Sequence, residues 1–256
     1  MEPKIALNLF AIEADPLAIE IARIEVAAAI NRLDLYSQIR QHFVHGNPLI
    51  TPNEEIDALD FSFEFYNHGG LGIEPNNIPS CDVIVGNPPW GTVSFDLPYY
   101  LHLTCPKILA LEAEDEVDQA LEDLSFSHPN LYEFLLTHDE ANDLTSEAIY
   151  DDERFQKSTM GGLQTNLLFT EFTDRLLTNR GTAGLILKGS TLSDSGNKRL
   201  WNHLANRNRV IARYDFINCN KIFNIDRTEE FSVLILGQGN SDETSYKKGL
   251  TDFEEI

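Results

Sequence analysis

The sequence predicts an α/β fold built on a doubly wound, mostly parallel sheet, and three observations carry that prediction. Apolar runs of strand length alternate with amphipathic runs of helix length. Val83-Ile84-Val85, after Asp82, is continuously apolar, the pattern of a strand buried on both faces of a parallel sheet. The chain has 256 residues with 42% hydrophobic content, enough for one large α/β domain or two small ones.

Leu7 to Ile12 reads as a short buried strand ending at Glu13. Asp15-Pro16 then starts a helix, because Asp is a good N-cap and Pro suits the first helical position. Leu17, Ile21, Ile24 and Ala28 give helical spacing that runs to about Leu35. Phe43-Val44-His45 is a second short strand before Gly46-Asn47-Pro48. Residues 51–79 read as a polar loop, and 91–160 as an acidic insertion with helical pieces. Leu167 to Leu177 is an amphipathic helix closed by Asn179-Arg180-Gly181, with the next strand at Gly184 to Leu187. A helix over 196–206 and strands at Val210–Ile217 and Phe231–Leu236 complete a catalytic domain spanning 1–239. Residues 240–256 read as a polar tail that frays.

Charge and composition exclude several classes. No run of about 18 apolar residues occurs, so no transmembrane helix is expected. Met1-Glu2-Pro3-Lys4 lacks the layout of a signal peptide, which points to the cytoplasm. Cys81, Cys105 and Cys219 are far apart and read as reduced thiols, with neither a disulfide framework nor a zinc site. The net charge is -22, awkward for a nucleic-acid partner, because Lys and Arg supply most non-specific affinity for phosphates. The charge is uneven, however. Gly91 to Met160 holds 16 Asp or Glu against 3 Lys or Arg, the pattern of a solvated helical excursion. By contrast, Lys188, Lys198, Arg199, Arg207, Arg209, Arg213 and Lys221 face only Asp194 and Asp215 in their stretch. That stretch is the better candidate surface for DNA.

The residues with the most chemistry are Asn87-Pro88-Pro89-Trp90, directly after the apolar strand. Ligands of open α/β sheets bind beyond the carboxyl ends of strands, where this turn falls. An aniline-like amine such as adenine N6 is a poor nucleophile, since its lone pair is delocalised into the ring. Acceptors on its two N–H bonds favour rehybridisation. The Asn87 side-chain oxygen and the Pro88 carbonyl are suitable, and two prolines fix the backbone that presents them. Trp90 offers a face on which an extruded base stacks. The bland alternative is a proline-rich turn after a strand.

With those residues the chain resembles the adenine-N6 DNA methyltransferases of restriction–modification systems, particularly types II and IIG. Their motif is Asn, Asp or Ser, then Pro-Pro and an aromatic residue. The resemblance implies a Rossmann-like fold that binds S-adenosyl-L-methionine (AdoMet), double-stranded DNA with a flipped adenine as substrate, and no metal. Phe10 to Ala18 looks like the family's second motif, which gives Glu13 the ribose hydroxyls of AdoMet. The alternative for Glu13 is a solvated strand-end charge. Gly46-Asn47-Pro48-Leu49 sits where the third motif falls, and gives Asn47 the cofactor adenine amine. Pro48 departs from the bulkier residue usual there, and an ordinary loop Asn is the alternative. Asn166 to Leu187 resembles the family's helix and next strand, with Phe169 lining the adenine pocket or serving as plain core. Phe223 covers the second face of the flipped base, or else packs in the core.

The family's first motif, a Gly-rich turn holding the methionine end of AdoMet, has no counterpart before Glu13. Gly237-Gln238-Gly239 lacks its acidic residue. In the family that motif's strand lies between those of Glu13 and Asn87. The domain therefore reads as incomplete at its N-terminus, with a complementary N-terminal half or specificity subunit as a partner. No large basic target-recognition domain follows residue 240. The alternatives are an inactive remnant, a subunit of a split methyltransferase, or an enzyme methylating RNA or a protein glutamine.

Overall fold

The computed structural model of the chain describes residues 8–55, 72–94, 97–111, 113–192, 194–207, 209–238 and 244–256. Residues 56–71 of the expected loop, and Ser193, Gly239 and 240–243, lie outside them. The described residues divide into two compact units, one from 1–73 with 93–148 and one from 74–92 with 149–256.

In the first unit, β1 (Ala11–Glu13) pairs in parallel with β2 (Phe43–His45), with Ala11 opposite Phe43 and Glu13 opposite His45. Helix α1 (Pro16–Ala29) joins them. Asp15 caps it as expected, its carboxylate accepting from the N–H groups of Leu17 at 2.7 Å and Ala18 at 3.1 Å. The expected helical period is correct but the buried stripe is displaced. Ile19, Arg23 and Ala27 are buried, while Leu17, Ile21 and Ile24 are exposed. This helix is apolar on more than one side, so spacing alone does not choose its face. Nor does it run to Leu35. Asn31 takes a left-handed conformation at φ 53°, an ordinary way to end a helix. Helix α2 (Tyr36–His42) follows a short turn, and Ile30, Leu35, Ile39 and Phe43 complete the core.

The acidic segment is helical, as the sequence predicts: α3 (Leu97–Thr104), α4 (Glu114–Ser127) and α5 (Pro129–Asp151). Leu101, Ile108, Leu124 and Leu135 form its small core. Asp115, Glu116, Asp118, Glu122 and Asp123 on α4 are exposed.

The second unit carries a five-stranded sheet in the order β3-β4-β6-β5-β7. Its strands are β3 (Cys81–Gly86), β4 (Leu177–Lys188), β5 (Val210–Ile217), β6 (Glu230–Leu236) and β7 (Ser245–Leu250). The α/β, Rossmann-like class expected from the sequence is the fold observed. The sheet is mixed, because β6 runs antiparallel to both β4 and β5, whereas β3–β4 and β5–β7 are parallel. Among the described residues, no α-helix lies between β5 and β6, and a parallel pair needs a long crossover. Helices α6 (Thr165–Leu176) and α7 (Lys198–Asn206) supply Leu167, Leu200 and Leu204 to a core with Ala183, Leu185, Leu187, Leu234 and Leu236.

Three expectations change here. Strand β4 begins at Leu177 rather than after a turn. Its ladder with β3 bulges between Cys81 and Val83, where a Cβ on Gly181 would lie 2.8 Å from the Cys81 carbonyl. That glycine permits a close approach of strands and does not close the helix. Strand β3 is not buried on both faces: Ile84 packs on the core, but Val83 is 71% and Val85 81% exposed. Among the described residues β3 has a strand neighbour on one side only. Finally, the expected tail contains β7, paired with β5. Tyr246 donates to Asp215 at 3.0 Å, and Leu250 joins the Phe216–Phe231 core.

Asp215 also accepts two bonds from Arg213, at 2.7 and 2.8 Å, and one from Ser232 at 2.6 Å. Burial alone would raise the Asp215 carboxyl. The bonds from Arg213, Ser232 and Tyr246 outweigh it and hold the group below the usual carboxylate range.

Candidate functional site

Strand β3 delivers Asn87-Pro88-Pro89-Trp90 to its carboxyl end. Pro88 is buried, Trp90 half-buried, and Asn87 and Pro89 exposed. Among the described residues neither the Asn87 side chain nor the Pro88 carbonyl has a hydrogen-bond partner. Both acceptors remain open at the mouth of a cavity of about 280 Å3 lined by Asn87, Pro88, Pro89, Trp90, Phe223 and Ile225.

Two buried polar residues that the sequence reading passed over hold this cavity in shape. The first is Thr165, 5% exposed at the start of α6. Its hydroxyl lies 2.8 Å from the Pro89 carbonyl and 2.7 Å from that of Gly91, and its N–H donates to Gly91 at 3.0 Å. Thr92 bridges to Gln164 beside it. The turn after β3 is thereby tied at both ends, to the strand and to the helix.

The second is Asn218, fully buried at the end of β5. Its side-chain oxygen accepts from the Phe223 N–H at 2.9 Å. Its amide nitrogen faces the carbonyls of Phe223 at 3.0 Å, Ile225 at 3.2 Å and Asp226 at 3.0 Å. Lys221, at φ 56°, turns the chain back within this loop. Asn218 thus folds residues 223–226 into the wall opposite the proline turn. A lone Asn after an apolar strand carries no periodic signal, which is why spacing did not reveal it.

Phe223 lies beside Trp90, but the rings are not parallel. Their centroids are 6.5 Å apart at 85°. Trp90 lies nearly parallel to Phe231, 6.4 Å away at 22°, and Phe223 meets Phe231 edge-on at 5.0 Å. The Phe223 and Trp90 rings are therefore close to perpendicular, and as they stand the two cannot both lie flat on one base.

The other residues singled out from the sequence are not among those lining this cavity. Glu13 and Asn47 belong to the first unit, at the carboxyl ends of the paired strands β1 and β2. Glu13 is exposed, with one carboxylate oxygen accepting from the Asp15 N–H at 3.0 Å. The Asn47 side-chain oxygen accepts from the Leu49 N–H at 3.0 Å. Phe169, half-buried on α6, lines neither this cavity nor the one next to it.

That neighbouring cavity, about 300 Å3, is lined by Trp90, Gly91, Thr92, Gln164, Asn166, Lys188 and Thr191. The basic stretch containing Lys188 is less available than its composition suggests. Arg207 and Arg209 pair with buried Asp174 at 3.0 and 2.6 Å, and Arg213 pairs with Asp215. Lys188, Lys198, Arg199 and Lys221 have no ion pair among the described residues. No group of three His, Cys, Asp or Glu among the described residues is placed to hold a metal, and no described helix is long and apolar enough to cross a membrane.

No protein-family model and no curated protein sequence matches the chain. Solved structures do. The chain is similar to part of the DrdV–DNA complex, with 14% identity over 97% of this chain and 23% of that one, at a TM-score of 0.51. It also matches a nuclease-deletion mutant of the Type ISP restriction–modification enzyme LlaGI in complex with a DNA substrate mimic. There identity is 14% over 94% of this chain and 20% of that one, at a TM-score of 0.43. A third match is a putative class I S-adenosylmethionine-dependent methyltransferase from Listeria monocytogenes, with 12% identity over 93% and 48% of the two chains and a TM-score of 0.38. The chain spans less than half the length of each of these proteins. The likeness to the DrdV structure is one of fold.

Proposed function

We propose that the chain is the catalytic region of an AdoMet-dependent methyltransferase that acts on adenine N6 in DNA, of the restriction–modification type. The observation that carries this reading is the pair of open acceptors on Asn87 and Pro88, at the carboxyl end of β3 and beside Trp90. The similar DrdV chain is in complex with DNA, which supports a DNA substrate.

In this reading the Asn87 side-chain oxygen and the Pro88 carbonyl accept the two N–H bonds of the target amine. Holding both aligns the nitrogen lone pair out of the ring plane, toward the incoming methyl group. Pro89 and the Thr165 bonds keep the acceptors from relaxing, so little reorganisation accompanies reaction. Trp90 stacks on the extruded base, and Phe223 closes the cavity wall.

The cofactor roles follow the same resemblance, and the first unit's geometry fits them. Glu13 presents an exposed carboxylate at a parallel strand end, suited to a ribose diol, and Asn47 stands at the end of the adjacent strand. Glu13 is assigned the ribose hydroxyls, Asn47 the adenine amine, and Phe169 the ring. When bound, AdoMet supplies an electrophilic methyl group. The methyltransferase domain is assigned to 1–239, with 91–160 as an insertion and β7 added to its sheet beyond the proposed boundary.

Labelled AdoMet, supplied with DNA, RNA and protein acceptors, tests this. Label in adenine of DNA is expected, with Asn87→Ala lowering transfer about 100- to 1,000-fold, the scale of losing one preorganised hydrogen-bonding group. Label in RNA or protein glutamine and never in DNA would overturn the substrate assignment.

The exposed outer side of β3 favours a second reading, in which the chain is one part of a split methyltransferase and a further polypeptide pairs with that strand. Activity that appears only on adding the complementary N-terminal half, and is lost in Val85→Lys, would distinguish it.

A further inference from the structure

We propose that the second cavity is a phosphate site that seats the phosphodiester joined to the nucleotide whose base enters the first. The inference rests on the base-binding reading above and goes beyond it by assigning a separate set of residues. Trp90 lines both cavities, so the two adjoin.

The second cavity is rich in donors. Lys188 stands half-buried at the end of β4 without an ion pair among the described residues. Among the described residues, no Asp or Glu lines this cavity. The Trp90 Nε1–H is buried with no partner, and a donor left unmade in the interior is costly. Thr191 is 2% exposed and its hydroxyl meets the Asn166 amide.

Asn166 is itself 2% exposed and its side-chain oxygen has no partner. Turning that amide end for end would let the oxygen accept from Thr191 and aim the –NH2 group into the cavity. An anion there favours the turned amide and removes the orphan acceptor. The N-terminus of α6 lies at the same place, with Gln164 at its cap position making no capping bond. The helix field there adds to Lys188 in favouring a negative group.

The experiment follows the Trp90 indole N–H resonance, assigned against Trp201→Phe, in the full chain. The ligands are the trinucleotide d(TAT), its neutral methylphosphonate analogue and inorganic phosphate. The phosphodiester form is expected to bind roughly tenfold tighter than the neutral analogue, the scale of one hydrogen-bonded charge. Lys188→Gln should abolish that difference, leave affinity for the neutral analogue unchanged, and remove the response to inorganic phosphate. Unfolding by urea checks that the variant is folded. Equal binding of charged and neutral trinucleotides, undiminished discrimination in Lys188→Gln, or no response to any ligand would overturn the proposal. If inorganic phosphate acts through Lys188 while the neutral analogue does not bind, the phosphate site stands and the base-binding reading falls.

Discussion

Replacing Asn218 with Asp tests whether one buried amide shapes the wall of the cavity beside Asn87 and Trp90. The two side chains are nearly isosteric, so packing is preserved and only hydrogen bonding changes. In the wild type the amide nitrogen faces three carbonyls at 3.0–3.2 Å, and it has two protons to share among them. The carboxylate oxygen of Asn218→Asp would face the same carbonyls with nothing to donate. Two bonds of about 1 kcal/mol each are lost, and orphaned carbonyls add about 1–3 kcal/mol. The side chain is fully buried, so the total expected is about 3–5 kcal/mol at pH 7. Burial and surrounding oxygens would raise the new carboxyl's pKa. A raised folded-state pKa stabilises below the unfolded value and loses that contribution as pH rises through the folded one. The defect should therefore shrink in acid, where the protonated group can donate once. Urea unfolding at pH 7 and pH 4 measures this, with Trp90 fluorescence reporting the cavity. A variant as stable as wild type at pH 7, with unchanged Trp90 emission, would refute the role given to Asn218.

Four further outcomes are expected. Thr165→Val removes the hydroxyl facing the Pro89 and Gly91 carbonyls. It should lose about 1–2 kcal/mol in unfolding experiments and lower methyl transfer, whereas Thr165→Ser should retain both. Asp215, whose carboxyl is held below the usual range, stabilises the fold above its unfolded pKa of about 3.9 and ceases to as pH falls through its folded value. Asp215→Asn should be less stable than wild type at pH 7 and lose less on acidification, as pH-dependent unfolding would show. If a complementary N-terminal half pairs with β3, Val83→Lys with Val85→Lys, on the exposed side of that strand, should weaken the association in sedimentation experiments without loss of the chain's own stability. If DNA binds through Lys188, Lys198, Arg199 and Lys221, log affinity against log salt should have a slope near -3.6, at about 0.9 per phosphate. A slope steeper than about -6 would place the contacts elsewhere.

Much of this architecture could be read from residue order because its signals are local. The N-cap at Asp15, the strands at Phe43–His45 and Val210–Ile217, and the Asn87-Pro88-Pro89-Trp90 turn each depend on neighbours in sequence. What escaped depends on partners far along the chain. The buried face of α1 was missed because Leu17, Ile21 and Ile24 share its period with Ile19 and Ala27. The strand at Ser245–Leu250 was missed because Tyr246, Lys247 and Lys248 look polar, yet pairing with β5 and the bond from Tyr246 to Asp215 hold it. The seven basic residues from Lys188 to Lys221 looked like one surface. Three of them instead neutralise Asp174 and Asp215 inside the second unit.

The same distinction explains how the candidate site is built. Its two acceptors are the side-chain oxygen of exposed Asn87 and the backbone carbonyl of buried Pro88, and their aim depends on the turn that carries them. Their order comes from two buried polar side chains on separate elements. Thr165 fixes the Pro89–Gly91 backbone from α6, and Asn218 fixes the Phe223–Asp226 backbone from the end of β5. Each satisfies main-chain groups that the open cavity would otherwise leave unpaired, so the bonds that stabilise the loops also aim the acceptors. Apolar anchors at these two positions could fill the space but could not choose among backbone orientations. On this account, substitutions at Thr165 and Asn218 should weaken methyl transfer in step with the loss of loop order, whereas substitutions at Asn87 should weaken it with the loops intact.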